Sequence, residues 1–156
     1  MRLNALVAPC LLVLACANDE PKDPPLGAGG AEHEANCDGR GVRLAAGHTL
    51  STEEGVTVEL ASLLPESPVQ GDNTWELRLT RDEEPLAGAT LRVLPWMPDH
   101  EHASTKIVQV RERAPGSYEL SPVYLGMPGY WEVGVDVALE DEQLGSVGFD
   151  LCLEQE

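Results

Sequence analysis

His100 and His102 stand two residues apart in the stretch PWMPDHEH (95–102), with Met97, Asp99 and Glu101 beside them. In extended backbone, side chains at i and i+2 project to the same side, about 6.5 to 7 Å apart along the strand, so both imidazoles can turn onto one ion. Joined by the thioethers of Met97 and of Met127, which opens a second Met-Pro pair, they make a soft donor set suited to copper, above all Cu(I). With Asp99 or Glu101 instead, the same imidazoles suit Zn(II) or Cu(II). Both methionines precede a proline in a turn-like setting and are read as lying off the core-facing alternation of neighbouring strands. The competing reading is a polar, proline-bounded loop whose histidines face solvent. His33 and His48 are assigned no role.

Catalytic patterns are missing from the chain. There is no Gly-x-Ser-x-Gly elbow, phosphate loop or dinucleotide glycine pattern, and His100-Glu101-His102-Ala103-Ser104 lacks the second histidine of a His-Glu-x-x-His zinc protease. Ser104 near His102 has no evident third group to orient a base. The sequence therefore points to a binding module and not to an enzyme.

The elements that must hold the histidine loop are short and alternate with a period of two. Val56, Val58 and Leu60 begin the pattern, followed by Trp75, Leu77 and Leu79, then Leu91 and Val93. Ile107 to Val110, Tyr118 to Leu120, Trp131 to Leu139 and Val147 to Leu153 continue it. Period two is the signature of a half-buried strand. Turn residues separate the runs at 70–73, 81–85, 114–116, 127–129 and 141–142. About seven strands at this spacing predict an all-β, immunoglobulin-like antiparallel β-sandwich. Trp75, Trp131 and Phe149 fall in phase with the aliphatics of their strands and are read as core.

The order of several short motifs over residues 71–151 resembles the YtkA-like family, which overlaps the FixH-like proteins of bacterial envelopes. These motifs are the Pro-Leu-x-Gly-Ala turn (Pro85 to Ala89), the Met-Pro-x-His-x-His loop (Met97 to His102), Gly116-x-Tyr118 and Gly129-x-Trp131. The resemblance implies a small immunoglobulin-like sandwich and an envelope accessory role, and it is consistent with copper as the ligand. The family loop carries glycine where this chain has Glu101, a residue that disfavours positive φ and adds a carboxylate beside the imidazoles.

The N-terminus gives an address. Arg2 precedes an apolar run, Leu6 to Ala15, too short to span a bilayer but long enough for a signal-peptide core. Residues 1–15 are read as a signal peptide. Val13-Leu14-Ala15-Cys16 resembles a bacterial lipobox, which makes Cys16 the lipidated residue, the alternative being an ordinary secretory signal. Ala17 and Asn18 lack the aspartate that retains some lipoproteins at the inner membrane, which favours the outer one. Residues 16–36 are rich in Pro, Gly, Ala and acid, a composition for a flexible linker. Residues 37–156 are then one domain.

Cys10 and Cys16 leave Cys37 and Cys152 for the exported domain, where they can pair across it, the alternative being two free thiols. Cys152 is out of phase with Phe149 and Leu151, so it faces away from the core, where the segment around Cys37 can reach it. The net charge is −17, or −18 once Arg2 is removed and 9 basic residues face 27 acids. That sign disfavours nucleic acid and electrostatic adhesion to anionic lipid. The expected partners are the membrane through the lipid, a metal ion, and an envelope protein. A sandwich that only presents an acidic face or sheet edge to such a protein, without metal, is the alternative function.

Overall fold

Val56, Val58, Leu60, Trp75, Leu77 and Leu79 are all fully buried, and their polar neighbours in sequence are not, as a period of two requires. The computed structural model describes residues 37–154; the stretches read as signal peptide and linker, with Cys16, lie outside the described residues. Ten strands are present: β1 (His48–Ser51), β2 (Val56–Leu64), β3 (Gly71–Arg81), β4 (Glu84–Pro85), β5 (Thr90–Met97), β6 (His102–Ala103), β7 (Gln109–Ala114), β8 (Ser117–Leu125), β9 (Gly129–Leu139) and β10 (Glu142–Leu153). They form two antiparallel sheets. One runs β1-β2-β3-β8-β7 with β4 paired to β3; the other runs β10-β9-β5-β6. The expected all-β antiparallel sandwich is what the chain forms, with the core between the sheets.

The surplus over seven strands comes from three short pairings, β1, β4 and β6, each too brief to show an alternation of its own. Two boundaries also differ from expectation. Residues 71–73 continue β3 and do not form a turn, because the Asn73 side chain is buried and completes the strand start. Its Oδ1 accepts from Val69 N at 2.9 Å, and its Nδ2 donates to Val69 O at 2.9 Å and Val123 O at 3.2 Å. The β7 pairing begins at Gln109 and leaves Ile107 outside it, 82% exposed.

Two of the sequence motifs meet in space and lock the sheets together. Tyr118, buried on β8, donates to Leu86 O at 2.7 Å and accepts from Ala89 N at 2.8 Å, so the Gly-x-Tyr motif holds the Pro-Leu-x-Gly-Ala turn that leads into β5. Gly116 has φ +73°, and a Cβ there would lie 2.8 Å from Leu79 O and 3.0 Å from Pro85 Cβ, so both its conformation and its surroundings demand glycine.

The disulfide expected from the cysteine count joins Cys37 to Cys152 across a separation of 115 residues, with Cα atoms 5.9 Å apart. Cys152 lies between the buried Leu151 and Leu153, on the outward phase of β10. The segment after Cys37 lies along β10: Val42 N donates to Asp150 O at 3.0 Å and Val42 pairs in parallel with Leu151.

Candidate metal centre

Along β5 the inward phase is Leu91, Val93, Pro95 and Met97, and Arg92 and Leu94 face out. Met97 is therefore in phase with the core, 2% exposed, and not off the alternation as its place before a proline suggests. Pro98 then ends the strand. Its fixed φ suits the first position of a short helical turn, and Pro98–His100 form one turn of 3-10 helix. Glu101 closes that turn in the left-handed region, φ 53° and ψ 39°, with its N–H donating to Pro98 O at 3.2 Å. The glycine expected there by family pattern is replaced, yet the chain still takes the conformation glycine would favour.

This turn overturns the expectation that His100 and His102 converge from extended backbone. His100 ends the 3-10 turn, the chain reverses at Glu101, and His102 begins β6, which pairs back on β5 with Met97 opposite His102 and Trp96 opposite Ala103. Ser104 N donates to Pro95 O at 2.8 Å and holds the return. The two rings are nonetheless close, with imidazole centroids 5.8 Å apart and planes at 68°. With metal–nitrogen distances of about 2.0 to 2.1 Å, two imidazoles on one ion have centroids roughly 5 to 6.3 Å apart. The observed pair falls inside that window without moving.

The His102 ring is held from two sides. Its Nδ1 lies 3.1 Å from Ala103 O, and with the proton on Nδ1 that bond leaves the Nε2 lone pair available to a ligand. The ring also meets Trp131 edge to face, with centroids 6.1 Å apart and planes at 74°. Trp131 in turn donates from Nε1 to Met127 O at 2.9 Å. Because Met97 and His102 are directly opposite in an antiparallel pair, their side chains share one face of the β5–β6 ribbon. Met97 Cε fills the place a Cβ on Gly129 would take, within 2.5 Å of it, which explains the glycine of Gly-x-Trp together with its φ of +129°. The 127–129 turn thus does approach the histidine loop. It brings Gly129 and the Met127 carbonyl to the cluster, and the Met127 side chain packs against the core.

Asp99 accepts from Arg40 Nη2 at 2.6 Å, and that hydrogen bond holds its carboxyl below the ordinary carboxylate value. Arg40 also stacks over Tyr130, 4.4 Å from the ring centroid, and donates from Nε to Cys37 O at 3.2 Å, so it ties the loop to the disulfide-bonded segment. Among the described residues no three His, Cys, Asp or Glu side chains gather into a metal-binding group. What the loop brings together is the pair of imidazoles, with Met97 opposite His102 in the β5–β6 pairing. Trp131 and Arg40 are the neighbours sequence reasoning missed: Trp131 reads only as a core tryptophan, and nothing in the spacing of Arg40 points 59 residues ahead.

A family model described as YtkA-like matches residues 51–136, which takes in β2 to most of β9, the histidine loop and all four motifs. No curated protein matches the chain. Among solved structures, the crystal structure of "as isolated" FetP from uropathogenic E. coli strain F11, expressed recombinantly in the periplasm of E. coli, is similar over 74% of this chain and 99% of that one, at 9% identity and a TM-score of 0.45.

Proposed function

The chain belongs to the YtkA-like family, and from that premise we propose that it is a bacterial envelope accessory module, lipid-anchored through Cys16, that binds copper through His100 and His102. The observation that carries this reading is the paired imidazoles at 5.8 Å, one with its Nδ1 on a backbone carbonyl, beside a buried thioether. Two imidazoles and a thioether favour Cu(I) over harder ions. Met97 is the sulfur ligand, because it lies opposite His102; Met127 supplies its carbonyl to Trp131 and a thioether only if its side chain turns from the core. The Cys37–Cys152 bond supports export, since such bonds persist in oxidising compartments. The role is binding and not catalysis.

A second reading has one observation in its favour. The edge-to-face seat of His102 on Trp131 is also what a packing histidine makes, and a sandwich that binds only an envelope protein needs no more than that. X-ray absorption on the copper-loaded protein separates the two. The metal reading expects two nitrogen scatterers and one sulfur, with the sulfur lost in Met97→Leu; copper held only by scattered oxygen and nitrogen ligands overturns it.

A further inference from the structure

The outer face of the four-stranded sheet, opposite the one that carries Met97, holds a groove of about 290 Å³. Its walls and floor follow from register. Trp96 stands opposite Glu132, and Glu132 opposite Asp150; one step along, Leu94 stands opposite Gly134, and Gly134 opposite Gly148. A channel thus crosses three strands, floored by two glycines, with Leu94 (43% exposed) at one end and the indole and two carboxylates along one side. Arg92 and Asp136, 3.8 Å apart, form the far side.

Neither glycine is required by the fold. Neither has a positive φ, and a Cβ would have only ordinary contacts, the nearest atom 3.8 Å away in each case. Glycine inside a strand weakens it, and where conformation does not explain it, it marks a place where another group comes close. The acids carry a second unfavourable feature. Glu132 and Asp150 are direct cross-strand partners, an arrangement of like charges that opposes pairing. Among the described residues neither has a Lys or Arg within ion-pair distance; the Tyr130 hydroxyl donates to Glu132 Oε1 at 3.1 Å. Burial, and then the charge of Glu132, raise the Asp150 carboxyl above its ordinary range.

An open floor, an uncompensated acid pair and an exposed apolar wall at one place are complementary to a single kind of group, a cation on a long apolar stem. We propose that this groove docks a lysine or arginine side chain from a partner protein, its methylenes along Leu94 and the glycine floor and its cation against Glu132 and Asp150 beside the Trp96 indole. The site is independent of the histidine loop, because even-numbered residues of β5 face out and Met97 faces in.

The test is an amide chemical-shift titration of the protein with the capped tripeptides acetyl-Gly-Arg-Gly-amide and acetyl-Gly-Lys-Gly-amide, with acetyl-Gly-Gln-Gly-amide as control. Saturable shifts centred on Leu94, Gly134 and Gly148 are expected with the cationic peptides alone. Gly134→Val fills the floor and leaves the charge of −17 unchanged, so it separates groove binding from general attraction; binding should weaken at least ten-fold while the melting temperature holds or rises. Should that variant not fold, Glu132→Gln/Asp150→Asn should give the same loss and melt higher than the parent. Shifts scattered over the acidic surface, unchanged affinity in either folded variant, or saturation of the two acids by Ca²⁺ in preference to the peptides overturns the proposal.

Discussion

His100 and His102 face one another edge to face at 5.8 Å because the residue between them, Glu101, passes through the left-handed region of backbone space. In extended backbone the same two rings would stand side by side on one strand. The turn places one on a 3-10 helix and the other on a return strand, where His102 meets Trp131 and stands opposite Met97.

Glu101→Gly should therefore be tolerated and mildly stabilising. A non-glycine residue in the left-handed region costs about 1 to 2 kcal/mol, and glycine's added chain entropy returns about 0.5 to 1 kcal/mol of that. Urea denaturation should show a gain of up to about 1.5 kcal/mol, with copper affinity kept. A loss of stability would mean that the Glu101 side chain has a structural role not visible in its contacts.

Asp99 links the loop to Arg40, and the linkage has a definite sign. Its folded carboxyl is lowered, first by the hydrogen bond from Arg40, so whatever it contributes is complete above its ordinary value of 3.8 and fades as pH falls through the lower folded value. Both side chains are solvated, so the contribution to stability is small. In Arg40→Ala the Asp99 carboxyl should titrate back up toward that ordinary value, read by carbon NMR of the side-chain carboxyl; an unmoved titration would show that Arg40 does not hold it.

Tyr118→Phe removes one hydroxyl that satisfies both Leu86 O and Ala89 N. Stranding buried backbone groups costs about 1 to 3 kcal/mol. Equilibrium unfolding should register a loss of that order, and a change below about 0.5 kcal/mol would show that the 86–89 turn is held by other contacts.

Replacing Cys37 and Cys152 by alanine opens a loop of 115 residues. Chain-entropy estimates and measured losses for native disulfides place the cost at about 2 to 5 kcal/mol. The same change should loosen Arg40, whose backbone N donates to Cys37 O at 2.8 Å and whose guanidinium reaches Asp99. Faster amide exchange at residues 99–102 in the double variant is expected, and unchanged exchange would uncouple the loop from the disulfide.

Much of the fold was legible because its long strands alternate cleanly: Trp131, Val133, Val135 and Val137 are all buried with their intervening residues less so. The strands that escaped are those whose existence depends on a partner, such as Glu84–Pro85 and His102–Ala103, two residues each. Residues 70–73 misled because Gln-Gly-Asp-Asn is turn chemistry when the polar groups face water, and here Asn73 spends its amide on buried backbone. At the histidine loop, the nearness of His100 to His102 was legible and the turn that produces it was not. Period-two spacing put the histidines close together for the wrong reason, and Met97 looked free because a following proline suggests a loop, whereas the strand alternation runs through it to the end of β5. Pairings across the fold, Arg40 with Asp99 and His102 with Trp131, have no local signal in the sequence.

The central claim is most directly tested by titrating the protein with Cu(I) under competing chelators beside a His100→Ala/His102→Ala variant. The account predicts tight one-to-one binding by the parent and a loss of at least a hundred-fold, about 2.7 kcal/mol, in the variant. Weak binding of equal strength in both proteins would contradict it, and PWMPDHEH would then be a loop that packs His102 on Trp131 and holds no metal.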